Sequence, residues 1–367
     1  MSKVRIGIVG LGFGRSVLIP AFRAVPEADV VAVAGRHHEH ARSVASECGI
    51  PRHFSSWEEM VSCPEIDAVC IATPPALHSD IAVASISARK AVFCEKPLAH
   101  DSSGARTMWA QARHSGLAHA VDFEFRYIPA WRFLKHLLQN GVAGPLRYVN
   151  INWTVSTWAD SNRPWSWRSD RSAGGGVLGA LAVHAFDYIP WLFGPVRSVS
   201  GQLSTRIPYR PAQDGTLKET TAEDYCNSSM LLHDDTPVGV TISNVAPCGR
   251  GHWIEVDGED KTVVLGSENL NDYTSGFEIW AAEKGERLRK LPIPEEFQIQ
   301  ETYGDARVGP VSRLASQFIR SIQSGQDCTM PSFEDGYRSQ LLMDSIFRSN
   351  NGRRWVDVPA VETAVQE

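Results

Sequence analysis

The sequence predicts an α/β protein in two parts: a parallel sheet in the first third, then an α+β domain on a mainly antiparallel sheet. Three observations lead there. Between Val4 and Val121 short apolar runs alternate with helix-compatible segments, the pattern of βαβ units. A glycine turn, Gly10-Leu11-Gly12-Phe13-Gly14, separates the first run from the first helix. Beyond Val196 the apolar runs become short and partly alternating, which suits antiparallel pairing.

With 367 residues the chain has the length of two domains, and its 43% hydrophobic content suits ordinary soluble cores. A net charge of -6 and the lack of Lys/Arg-rich runs argue against nucleic acid as a partner. The start, Met1 to Ile6, enters a strand pattern at once, and the most apolar later stretch is interrupted by His184, Asp187 and Pro190. Neither export nor a membrane span is expected. Seven scattered cysteines, at 48, 63, 70, 94, 226, 248 and 328, lack C-x-x-C spacing, which argues against a disulfide framework or a metal site and for the reducing cytoplasm.

The first run, 4–9, and the helix expected over 16–25 give the glycine turn its setting. Gly10 permits a tight turn, and Gly12 lets backbone N–H groups approach a pyrophosphate; with Phe13, Gly14 and Arg15 they form a candidate dinucleotide turn. A βα turn without a ligand is the alternative. The second run, 29–34, ends in Gly35-Arg36-His37-His38. About 20 residues after such a turn, NAD-binding chains usually carry an acid for the ribose hydroxyls, whereas an Arg suits a 2′-phosphate. The acid is absent here, Arg36 can fork onto phosphate oxygens and His37 can add a donor. NADP(H) is therefore the favoured cofactor, with NAD(H) as the alternative.

A helix at 57–61, a run at 68–72 closed by Thr73-Pro74-Pro75, and a helix at 76–88 lead to a strand at 91–94 and then Glu95-Lys96-Pro97. A lysine at the carboxyl end of a buried strand lies where an open α/β sheet binds its ligand. Pro97 restricts Lys96 to extended geometry, and an X-Pro bond is free to be cis. The alternative is a solvated Glu-Lys pair. A helix capped by Asp101 or Ser102 runs to His114, and a strand at 117–121 closes the first domain, set at 1–121 with 122–367 as the second.

In the second domain Arg126 reaches a substrate or the nicotinamide, or else serves as an interdomain structural arginine. A helix at 128–138 and a strand at 147–155 precede Trp158, Trp165 and Trp167, which lie beside Arg163 and Arg168. Aromatic faces next to forked donors suit a polyol; indoles packed under the sheet are the alternative. Gly174-Gly175-Gly176 opens a helix over 177–192 on which Ala180, His184 and Asp187 share one stripe. Strands follow at 227–232, 238–243, 253–256 and 262–265, then helices at 311–322 and 337–347 and a frayed tail after 356. One face of such a sheet suits a second subunit, so a homodimer or homotetramer is expected.

This ordered set resembles the Gfo/Idh/MocA oxidoreductases. The marks are the glycine turn, Ile71-Ala72-Thr73-Pro74 with His78, then Glu95-Lys96-Pro97, and the glycine triplet followed by His184 and Asp187. The resemblance implies a Rossmann domain, a second domain with a large open sheet, and hydride transfer between NAD(P) and a carbinol or carbonyl, commonly of a sugar or cyclitol. It assigns Lys96 to the reacting oxygen and the cofactor ribose, His184 to proton transfer, and Thr73, Pro74, His78 and Glu95 to the cofactor side. Trp165, Arg168, Arg126 and His184 are the candidate substrate contacts. In the family pattern an Asp usually precedes the His by four residues, and that position here is Ala180; Asp187 is expected to orient or charge His184 instead, or the substrate differs from the usual polyol. Rival readings are a glycosidase-like enzyme that uses transient oxidation by a retained NAD(H), and a nucleotide-binding regulatory protein without chemistry.

Overall fold

The computed structural model describes residues 2–326 and 330–361, so Cys328 lies outside the described residues. The chain forms two compact units, Met1–Tyr127 with Glu301–Gln340, and Ile128–Gln300 with Leu341–Ala360.

In the first unit, β1 (Val4–Val9) leads through a π-helical turn at Gly14–Leu18 into α1 (Ile19–Arg23). There follow β2 (Ala28–Ala34), α2 (His38–Glu47), β3 (Arg52–Phe54), α3 (Trp57–Ser62) and β4 (Ala68–Ile71). A short 3-10 turn at Pro75–Leu77 enters α4 (His78–Ser87), and β5 (Ala91–Cys94), α5 (Ser102–Ser115) and β6 (His119–Val121) complete the series. The six strands are parallel, in the order β3-β2-β1-β4-β5-β6. Every residue of β4 and β5 is buried, as a parallel strand covered on both faces requires. The order reverses between β1 and β4, which opens a crevice at their carboxyl ends. The sequence reading misses β3, a three-residue edge strand without an apolar run. Asp101 caps α5 by accepting from Gly104 N at 2.8 Å.

The second unit contains α6 (Pro129–Gln139), β7 (Leu146–Thr154) and a π-helical turn at Leu178–Ala182 that continues as α7 (Val183–Phe193). Next come β8 (Val196–Ser204), the small ladder of β9 (Tyr209–Pro211) and β10 (Leu217–Glu219), β11 (Tyr225–Leu232) and β12 (Pro237–Ser243). The remaining strands are β13 (Gly251–Gly258), β14 (Lys261–Ser267), β15 (Glu278–Glu283) and β16 (Arg289–Leu291). The run Arg171–Phe193 is long and apolar enough to cross a membrane, and 72% of its apolar window is buried inside the protein. Its Tyr188 packs on Trp131 of α6 at 4.5 Å between ring centroids, and Trp131 meets Phe277 edge-on at 5.4 Å.

The last elements are α8 (Val308–Ser324), α9 (Phe333–Gly352) and β17 (Val356–Asp357). The large sheet has nine strands in the order β16-β15-β14-β13-β7-β12-β11-β8-β17, antiparallel except for β7 with β12. The chain after 356 is thus not frayed at once, because β17 pairs with β8. A second difference is where the C-terminal helices belong. The sequence boundary assigns all of 122–367 to one domain, whereas Glu301–Gln340 packs with the first unit. The cause is the apolar face of α8: Val311, Leu314, Phe318 and Ile319 are fully buried, and Phe318 meets Phe93 of β5 at 5.7 Å.

Candidate active site

Each glycine of the first turn has its own reason. Gly10 adopts φ +97°, and a Cβ there would lie 2.4 Å from Ala72 O, so only glycine lets the turn after β1 pass the end of β4. At Gly14 a Cβ would come within 2.9 Å of Ile8 Cγ2, which keeps the helical turn pressed on β1. Gly12 is different, because a Cβ there would meet nothing within 4 Å. The fold itself does not need that glycine, and its bare backbone faces open space at the crevice. Thr73, after β4, borders the same crevice: its N lies 3.0 Å from the Cβ position of Gly10, and its Oγ1 is buried without a protein partner. Phe13 lies under the Arg307 guanidinium at 5.2 Å, and Arg15 is engaged by Glu47 at 2.6 Å instead of turning to the glycines. Arg36 and His37 stand exposed where β2 gives way to α2, and Arg36 forms no ion pair among the described residues.

His78 is fully buried, with Nε2 2.8 Å from Thr73 O and Nδ1 3.0 Å from Pro97 O. Burial pushes its pKa down, so the neutral ring donates to one of these carbonyls at a time. It is a strut between the loops after β4 and β5, behind the crevice. At the end of β5, Glu95 N donates to Ile71 O at 2.8 Å, the Lys96–Pro97 bond is cis, and Lys96 is half-buried. Glu95, Asp122 and Glu124 are all buried. Burial, reinforced by the Glu95 and Glu124 charges, drives the Asp122 carboxyl well above its ordinary range. Burial also raises Glu95, but the Asp122 hydrogen bond and the Lys96 charge oppose it. The pair therefore holds a proton on Asp122 and leaves Glu95 as the carboxylate nearer to ionisation, next to Lys96. Asp122 is missing from the sequence reading, although it follows β6 as Lys96 follows β5, and that strand-end rule points to both.

Arg126 donates from Nη2 to Asp335 Oδ1 at 2.9 Å, and Asp335 also accepts from Ser332 N at 2.8 Å. Arg126 is a structural tie, and the tie lies inside the first unit.

In the second unit, His184 and Asp187 are three residues apart on α7, only 1% and 2% exposed. The His184 ring lies 6.1 Å from Trp153 and 6.0 Å from Tyr273. Behind Trp153, His252 stacks at 4.2 Å and 4°, and its Nε2 is 2.9 Å from Tyr188 Oη. Burial pushes His252 down to about 3, so it is a neutral wall residue. The indoles of the tryptophan segment are covered by cations: Arg163 on Trp158, Lys218 on Trp165 and Arg168 on Trp167. Trp165 also donates from Nε1 to Glu219 O at 3.0 Å, which ties it to β10. Arg168 lines a small cavity together with Ala180.

Residues 4–123 match the model of the oxidoreductase family with an NAD-binding Rossmann fold, and 135–358 match that of the family's C-terminal alpha/beta domain. The chain belongs to the Gfo/Idh/MocA oxidoreductases. An uncharacterized oxidoreductase of Synechocystis sp. is 38% identical over 362 residues, covering 98% of this chain and 97% of that one. Levoglucosan dehydrogenase of Pseudarthrobacter phenanthrenivorans is 29% identical over 400 residues, covering 98% and 100%. Among solved structures, levoglucosan dehydrogenase in complex with NADH and L-sorbose superposes with a TM-score of 0.87 at 28% identity, covering 97% of this chain and 99% of that chain.

The Gfo/Idh/MocA chain gathers one set of candidate residues in each unit. In the first, the Gly10–Gly14 turn, Thr73 and the Glu95-Lys96 strand end cluster on the carboxyl edge of the parallel sheet. In the second, the glycine triplet ends at Gly176, whose φ is +111° and whose Cβ would fall 2.2 Å from Glu223 Oε1. Glycine there admits the Glu223 carboxylate, which accepts from Leu178 N at 3.1 Å. Glu223 is the acid that the sequence reading overlooks, and it borders the same cavity as Ala180.

Proposed function

We propose that this oxidoreductase transfers hydride between a nicotinamide dinucleotide, NADP(H) in preference to NAD(H), and a CH–OH or carbonyl carbon of a sugar or cyclitol. The observation that carries this reading is the contrast within the glycine turn, where packing demands Gly10 and Gly14 and leaves Gly12 bare and open. The residues present fit a dinucleotide: the turn offers backbone N–H groups to the pyrophosphate, and Thr73 and Pro74 form the facing wall. Arg36 and His37, with no acid at the end of β2, suit a 2′-phosphate. Bound there, the dinucleotide supplies the hydride acceptor or donor.

The chain's own residues do the rest. Lys96 holds positive charge at the reacting oxygen, where charge develops as the O–H proton leaves. Glu95 precedes Lys96 and is a buried acid whose ionised form the Lys96 charge favours. His184 takes the hydroxyl proton in oxidation and returns it in reduction, with Asp187 as its orienting neighbour. A sugar as the substrate class is supported by the relatives named for levoglucosan and solved with L-sorbose. The described cysteines are all free, in keeping with a cytoplasmic location.

A fluorescence titration of the purified protein with NADPH and NADH tests the cofactor half. NADPH is expected to bind about 10-fold more tightly, and R36A to abolish the difference. Equal affinities overturn the NADP(H) preference; binding of neither overturns the whole reading.

A further inference from the structure

The cavity beside Ala180 has an unusual lining. Ser169 Oγ, Thr220 Oγ1, Glu223 Oε2 and Asn244 Oδ1 belong to residues that line it, and all four oxygens are buried without a protein hydrogen-bond partner. Ser169 and Glu223 are 2% and 3% exposed. The closest cation to the Glu223 carboxylate, Arg171 Nη2, is 3.8 Å away, beyond hydrogen-bond reach. Unpaired buried polar atoms are rare in folded proteins, and four on one small cavity mark a place that expects a partner.

The lining also specifies that partner. Asn244 Oδ1 accepts only, Glu223 accepts in its ionised form, and the two hydroxyls donate or accept, so a ligand that donates satisfies the set. Arg168 and Arg210 on the same lining disfavour an ammonium, and the two acids that match them, Glu223 and Asp224, disfavour a carboxylate or phosphate. A neutral hydroxyl remains. The cavity volume is about 30 Å³, room for two waters at about 10–15 Å³ each, which is the scale of one hydroxymethyl arm and too small for a sugar ring. Ala180 and Ala222 on the same lining give the methylene apolar neighbours. Ala180 lies four residues before His184, so the arm would be held about one helical turn from that histidine.

We propose that this cavity is the subsite for the exocyclic hydroxymethyl group of a neutral hexose, read by Ser169, Thr220, Glu223 and Asn244. The inference rests on the sugar reading above and narrows it: the enzyme selects free hexoses over 6-deoxy sugars, uronic acids and hexose 6-phosphates.

The test is calorimetric binding to the NADPH-loaded protein of D-glucose, D-galactose and D-mannose, each paired with its 6-deoxy counterpart and its 6-phosphate. At least one hexose is expected to bind about 10-fold more tightly than its 6-deoxy and 6-phosphate partners. T220V and S169A should each weaken that hexose about 5-fold and leave the 6-deoxy sugar unaffected, and E223Q should weaken it about 10-fold. The melting temperature without sugar should not fall in T220V or S169A, because each removes a buried hydroxyl that has no protein partner. A hexose preference that survives all three variants, or hexose and 6-deoxy sugar bound equally, overturns the subsite while leaving a sugar enzyme in place. Failure of every sugar to bind, with NADPH bound, overturns the subsite and the sugar reading together.

Discussion

In the first unit each candidate contact lies within a single βα turn: Gly10 to Gly14 after β1, Arg36 after β2, Thr73 after β4 and Lys96 after β5. In the second unit the cavity draws on residues as far apart as Ser169, Ala180, Glu223 and Asn244. The first has its place fixed by strand order, at the carboxyl edge of the parallel sheet, and each of its residues is set by a local turn. The second is a side-chain site assembled by tertiary packing from residues distant in sequence. Cofactor binding and substrate choice are therefore separable by mutation.

The largest effects break the comparison at its chemical ends. K96M is expected to lower kcat by about 1000-fold through loss of the fixed charge at the reacting oxygen, read in steady-state turnover. H184N should cost about 100-fold or more, with loss of the pH dependence of kcat. If either variant keeps full turnover, its unit contributes no chemistry.

Next come the two glycines. G12A should weaken dinucleotide binding about 10-fold with little change in chemical denaturation, since nothing within 4 Å opposes a methyl there. G10A should destabilise the apo protein by about 1–3 kcal/mol, because it forces both φ +97° and a 2.4 Å approach to Ala72 O. Equal stability losses in the two variants would erase the distinction between a packing glycine and a ligand-facing one.

Smaller effects sharpen the picture inside the first unit. R126A and D335N should each destabilise by about 1–3 kcal/mol, and the double variant by much less than their sum, in denaturant titrations. A raised KM without a stability loss would return Arg126 to the substrate. For Asp122 the sign follows from its raised folded pKa. The folded protein keeps a proton that the unfolded chain releases, so stability falls as pH rises from the ordinary carboxylate range toward the raised value. D122N, which does not titrate, should gain on the wild type across that rise and lose its advantage at lower pH, as melting curves over a pH series will record.

Much of this was legible in the residues. The strands from β1 to β6 are apolar runs set off by turn residues, and the glycine turn and Glu95-Lys96-Pro97 are contiguous, so local pattern sufficed for all of them except β3. The fate of α8 was not legible, since an amphipathic helix declares that it packs but not on which sheet; Phe318 chose β5. Nor were the roles of His78 and Arg15, whose partners Pro97 and Glu47 are set by folding. Glu223 stayed hidden for the same reason. Its meaning depends on Gly176, which is distant in sequence and adjacent only through the backbone approach that the glycine permits.

The most direct test is spectrophotometric: the purified protein with NADP⁺ is offered free hexoses and cyclitols, and the reduced nicotinamide absorbance is followed. At least one of them is expected to yield reduced cofactor with the wild type, at a rate that falls about 1000-fold in K96M and about 100-fold or more in H184N. A protein that binds NADPH tightly yet neither oxidises any of these alcohols nor reduces the corresponding carbonyls would contradict it, and would point to a nucleotide-binding regulator.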